Sequence, residues 1–178
     1  MQLAQIGSLT ADIIMVGALG KEAIAATGIG AVLFYLTWLI GYGPVAAVSP
    51  MVAQILGAHP NDRARVRAAV RMGLWAVALL SLPLMAFLIW AKPILIFLGQ
   101  DPKIAAVAEP WVHAVALGLP FSLGFGVLRG FATAIGRQHA VLAIALFVVV
   151  FNIFANYVLI YGNFGAPALG VQGSGIAS

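Results

Sequence analysis

The chain has 178 residues, of which 63% are hydrophobic and 8% charged, with a mean hydropathy of +1.07. Soluble domains carry about 25% charged and about 45–50% apolar residues, so a water-soluble domain is excluded and a polytopic, all-α membrane protein is expected. The formal charge of +4 comes from a few Arg and Lys residues flanking apolar runs, which orients a membrane protein and does not make a nucleic-acid surface.

The first apolar stretch covers about residues 1–19, close to the ~20 residues a bilayer span needs. Asp12 stands inside it, in Leu9-Thr-Ala-Asp-Ile-Ile-Met-Val16. A carboxylate at the centre of a span costs roughly 2.5–3.5 kcal/mol on insertion scales and usually faces a bundle interior or a wet cavity. A bland alternative keeps Asp12 at an interface as a helix cap. The stretch has no basic start or cleavage pattern, so it is not a signal peptide.

The second stretch, about 23–56, is too long for one straight span and contains Gly41-Tyr-Gly-Pro44 and Pro50, so a kink or tilt is expected. The third covers about 72–91, the fourth about 105–130 and the fifth about 140–161, and a sixth begins near Val171. The expected architecture is a single transmembrane helical bundle over residues 1–178, with five complete spans and the start of a sixth. Met1 opens without flanking charge and the chain stops at Ser178 inside an apolar run. Both ends therefore read as cut from a longer protein.

Between spans, Asp62 reads as a helix start. The stretch from Lys92 to Lys103 has an apolar middle too short to span, expected at the interface, followed by Gln100-Asp-Pro102 as cap and turn. The loops at 57–71 and 129–139 carry Arg63, Arg65, Arg67, Arg71, Arg129 and Arg137, against Lys21, Lys92 and Lys103 on the other side. That asymmetry predicts cytoplasmic arginine-rich loops.

Gln5, Ser8 and Asp12 are spaced three and four apart and share one helix face. Asn152 and Asn156, four apart, share a face of the fifth span. Such oxygens suit a hard cation such as sodium, and a desolvated carboxylate can also hold a proton near neutral pH. From spacing alone, interhelical hydrogen bonding is the simpler role for the asparagines, Gln5 and Ser8. Glu109 reads as a first-turn acid of the fourth helix. His113 has no ligand-spaced partner, Arg129 reads as a snorkelling side chain, and Gly126-Val-Leu-Arg-Gly130 permits close helix contact. Without cysteine there are no disulfides or thiolate sites. No Ser/His/Asp set, His-Glu-x-x-His pattern or phosphate-binding loop appears, so no enzyme is expected.

Four segments, in this order and spacing, resemble the multidrug and toxic compound extrusion (MATE) transporters. They are Ala11-Asp-Ile-Ile-Met-Val-Gly17 with the turn to Ala26, Ser49-Pro-Met-Val-Ala-Gln-Ile-Leu-Gly57, Leu128-Arg-Gly-Phe-Ala-Thr-Ala-Ile-Gly136, and Phe151-Asn-Ile-Phe-Ala-Asn-Tyr157 with the loop that follows. The resemblance implies the first of two pseudo-symmetric six-helix bundles. It implies export of cationic or amphipathic drug-like compounds in antiport with protons or sodium, with no other cofactor. Asp12 matches the family's first-helix acid, and Asn152 and Asn156 match the polar pair of its fifth helix, where some members have an acid at the position of Asn156. Gln5, on the Asp12 face, joins the candidate set, with sodium at Asp12, Asn152 and Asn156 as the only metal to consider. The expected partners are the lipid bilayer, a small-molecule substrate and a second bundle, in a bacterial inner membrane. A flippase for polar lipids or polysaccharides, or a non-transporting scaffold subunit, is the alternative.

Overall fold

The computed structural model describes residues 14–59, 62–162 and 168–177, and every regular element among them is a helix. Gln5, Ser8 and Asp12 lie outside the described residues. A helical turn at 14–17 leads into α1 (Lys21–Ala58), followed by α2 (Arg63–Ile89), α3 (Ala91–Phe97), α4 (Pro102–Ala134), α5 (Gln138–Tyr161) and α6 (Val171–Ala177). Of these, α1, α2, α4 and α5 are long and apolar enough to cross a membrane. With no water in the bilayer core to satisfy backbone groups, long continuous apolar runs close their hydrogen bonds within helices.

The α1 helix has 38 residues and continues through Pro44 and Pro50. At 1.5 Å per residue it is roughly 57 Å long, well beyond a ~30 Å hydrocarbon layer. Its buried residues recur every three or four positions, from Ala26 through Gly30, Leu33, Thr37, Gly41, Val45 and Val48 to Val52. This single stripe meets α4. Gly30 lies against Trp111 and Val112, Gly41 against Leu123, Val45 against Gly126, and Ser49 against Gly130. Residue numbers rise together on both helices, so α1 and α4 run parallel. Nineteen residues separate the first and last of these contacts on each helix, a seam of roughly 28 Å. Gly126 and Gly130 of the GxxxG sequence thus face α1, as that motif predicts.

The α2 helix runs antiparallel to both, with Gly73 against Val48 and Val127, and Leu84 near Gly41. One hydrophobic core joins α1, α2 and α4. The short α3 helix buries Ala91 and Leu95 and leaves Phe97 90% exposed, the half-buried arrangement expected of an apolar segment too short to span. The His113 Nε2–H donates to the Ile89 carbonyl at 2.9 Å, tying α4 to the end of α2. A carbonyl only accepts, so the bond fixes a proton on Nε2.

Two acids set helix starts. Asp62 accepts the Arg65 N–H at 3.0 Å, and Asp101 accepts the Lys103 N–H at 2.7 Å with Pro102 in the first helical position. Both caps lengthen their helices beyond the apolar stretches. The α2 helix begins at Arg63 and not near 72, because hydropathy marks the membrane-embedded part of a helix while the cap marks its start. The same reason corrects Glu109. It lies two turns inside α4 and is not a first-turn acid, the dipole position being taken by Asp101. At the other end, Gly162 closes α5 with φ 72°, the left-handed cap conformation that glycine adopts without strain.

The seam predicts its own sensitivity. A Cβ at Gly126 would stand 2.7 Å from Val45 Cγ1, whereas one at Gly28 would meet nothing within 4 Å. Gly126→Ala should lower unfolding stability in detergent by about 1–3 kcal/mol, the range for overpacking, with recovery in the Val45→Ala background. Gly28→Ala should cause no loss. Equal thermal unfolding of Gly126→Ala and wild type would refute the close seam.

Candidate functional site

The α5 helix is the least buried of the long helices. Among its described residues only Val141, Asn152, Asn156 and Ile160 are buried. Three of these, at i, i+4 and i+8, make one narrow stripe. The stripe is polar for two of its three positions, although the helix around it is apolar. Asn156 is fully buried at 0% exposure, and its Nδ2–H donates to Asn152 Oδ1 at 3.3 Å. Asn152 in turn donates from Nδ2 to the Ala177 carbonyl at 3.0 Å. The amides therefore form a directed chain from the middle of α5 to the end of α6.

The α6 segment is a wedge of small residues between α5 and α4. A Cβ at Gly173 would come within 2.6 Å of the Leu159 carbonyl oxygen, and one at Gly175 within 2.9 Å of the Trp111 carbonyl oxygen. Only glycine lets the wedge lie against both backbones, and Ser174 is buried between them. The run Gly170-Val-Gln-Gly-Ser-Gly175, which lacks the context of a phosphate loop, is thus a packing element. Its role could have been read from the small residues at 173, 174 and 175.

The end of the first apolar stretch meets the same stripe. Val16, 1% exposed, packs with Ala23 and Ile160, and Met15 and Val171 lie against this cluster. The Tyr161 hydroxyl donates to the Met15 carbonyl at 3.4 Å, a long bond. Ile160 is the next member of the Asn152–Asn156 row, so the row ends at the residues that follow Asp12 in sequence. The structure brings Asn152 and Asn156 together. Asp12 and Gln5 remain outside the described residues.

Chemically, the described part of the site offers two amide oxygens, one of which already accepts a hydrogen bond. Hard cations such as calcium take six to eight oxygens and magnesium six, so the asparagines alone are too few to hold such an ion. They can complete a site that a carboxylate begins. Among the described residues no group of three His, Cys, Asp or Glu side chains could hold a metal ion. Glu109 and His113, on α4, are not part of the stripe.

Helices long and apolar enough to cross a membrane, packed as a bundle, define an integral multi-pass membrane protein. Comparison with known proteins gives the family. The MatE family model matches residues 1–158. A probable multidrug resistance protein NorM from Bradyrhizobium diazoefficiens is 42% identical over 177 residues, and another from Rhizobium meliloti is 41% identical over 178, each alignment covering 99% of this chain and 38% of the relative. The chain therefore belongs to the MatE family and spans 38% of the length of these relatives. Two solved structures share the fold over 99% of the chain and 38% of their own lengths. A MOP superfamily transporter from Pyrococcus furiosus has a TM-score of 0.86 at 20% identity, and an outward-facing multidrug resistance MATE transporter has 0.80 at 21%. The fold is thus that of one half of a MATE-type transporter.

The amide chain generates a second test. Asn152→Ala removes the donor to Ala177 and should loosen α6, with hydrogen exchange at residues 173–177 accelerating about fivefold for the loss of a bond worth ~1 kcal/mol. Exchange in the α1–α4 seam should stay unchanged. Unaltered exchange at 173–177 would mean that glycine packing alone holds the wedge.

Proposed function

We propose that this chain supplies the first of two bundles of a secondary active exporter of drug-like compounds, driven by a proton or sodium gradient. The observation that carries the reading is the buried Asn152–Asn156 pair, set in an apolar helix and continuing through Ile160 to Val16. Buried amides cost stability unless paired, and the row they begin ends against Val16. Asp12 precedes Val16 by four residues, as Asn156 precedes Ile160. The matched spacing supports a reading in which the carboxylate and the amides serve one site. Asp12 then binds the coupling cation, Asn152 and Asn156 complete its oxygen shell, and Gln5 extends the polar face. Cation binding changes charge and hydration in the bundle and biases a rocking motion between two access states.

The bacterial relatives named for multidrug resistance support drug-like cargo, and the same kinship supports a place in the cytoplasmic membrane. Among the described residues, the cationic side chains sit near helix ends and in the connecting loops, not at span centres, which favours cationic or neutral compounds over anionic ones. A polar-lipid or polysaccharide flippase is the second reading. The Pyrococcus neighbour, described as having a binding pocket of reverse polarity that suggests a different function, makes it concrete, because one fold can host several cargoes.

Two experiments test the proposal. In a transporter joining this bundle to a second one, Asp12→Asn should reach wild-type membrane abundance yet lose gradient-driven efflux by at least tenfold. Asn156→Ala should weaken the cation dependence of transport. Normal efflux by Asp12→Asn would remove the carboxylate from the mechanism. For topology, single cysteines at His59 and Lys103, both exposed, should react with an impermeant reagent from opposite sides, His59 from the cytoplasm. Labelling of both from one side would overturn the orientation.

A further inference from the structure

We propose that the arginine-rich end of the bundle is a binding site for an anionic phospholipid, with a two-phosphate headgroup of the cardiolipin type as its best ligand. The site is a groove of about 740 Å³ between the end of α1, the first turns of α2 and the end of α4. Its rim carries Arg63, Arg67, Arg71 and Arg137, and its wall is apolar, with Leu56, Val70, Leu74, Leu128 and Phe131.

The first three arginines are spaced four apart and form one column along α2, roughly 12 Å long. Arg137, from the link between α4 and α5, faces the column across the groove. All four are exposed, and among the described residues none makes an ion pair. The nearby acid is already engaged, since Asp62 Oδ2 lies 3.1 Å from Arg65 Nε. Arg65 does not line the groove. The contrast is informative. Membrane orientation needs only a count of positive charges on one side, which Arg65 satisfies while paired. It does not require four unpaired guanidinium groups around one apolar-walled groove.

Like charges so placed repel, and a shared anion relieves that repulsion. Guanidinium matches phosphate in bidentate geometry. A soluble phosphate would satisfy the arginines and leave the wall against water. A phospholipid satisfies both, with phosphates on the arginine column and acyl chains along Leu74 and Leu128. Basic pockets between helices at a membrane surface take such headgroups. The inference needs only that the chain lies in a membrane and does not depend on the transported compound.

The test uses the purified protein in mild detergent, titrated separately with cardiolipin, phosphatidylglycerol and phosphatidylcholine, with bound lipid counted by native mass spectrometry. Cardiolipin should bind most tightly and phosphatidylcholine at least tenfold more weakly. Each groove arginine near the surface contributes about fivefold, so Arg67→Gln with Arg71→Gln should weaken cardiolipin binding by about twenty-fivefold. Arg137→Gln, in a loop, should weaken it about fivefold and serves if the double variant does not fold. Arg65→Gln should stay within twofold of wild type. Equal binding of phosphatidylcholine, or an Arg65→Gln loss as large as that of the double variant, would overturn the site. So would displacement of cardiolipin by inorganic phosphate but not by chloride at matched ionic strength, which would reassign the groove to a soluble anion.

Discussion

Close approach of parallel α1 and α4 underlies the rest of the bundle. In lipid, apolar side chains gain little by meeting one another, because the surrounding tails are equally apolar. Helices associate there through tight van der Waals packing and interhelical hydrogen bonds. Gly30, Gly41, Gly126 and Gly130 supply the tight packing, each placing backbone or a small surface against a larger neighbour. The α2 helix then adds through Gly73 against Val48 and Val127. Small residues on one helix receive branched ones from the next, so the three-helix core is set by shape more than by hydrophobicity.

The α5 helix is attached on different terms. It has few buried apolar residues and is held through two asparagines, Ile160 and the glycine wedge α6. A helix held by a narrow polar stripe can exchange hydrogen-bond partners with less repacking than one held by interlocked side chains. The described part of the candidate site therefore lies on the least buried of the long helices, beside the three-helix core.

Charge divides the molecule differently. Cationic residues collect near the helix ends and in the loops, and the described span centres carry none. The arginine end combines its charges with a shaped groove, while the lysine end has scattered charges and the short α3.

Composition and hydropathy alone determined that the chain is helical and membrane-embedded, because a bilayer admits only helices and closed barrels, and continuous apolar runs of about twenty residues fit the helix. Spacing placed Asn152 and Asn156 on one face, and the caps Asp62 and Asp101 were visible as residues. The order and spacing of four segments gave the family resemblance. Helix limits were less legible, since α2 and α4 extend past their apolar stretches and put Glu109 well inside a helix. Only the tertiary structure decided that α1 and α4 run parallel in register, that His113 bridges to Ile89, that the glycine run near 173 is a wedge, and that Arg63, Arg67, Arg71 and Arg137 converge while Arg65 turns away. Local pattern fixes which residues share a face. Which face meets which is set by how surfaces from distant parts of the chain fit together.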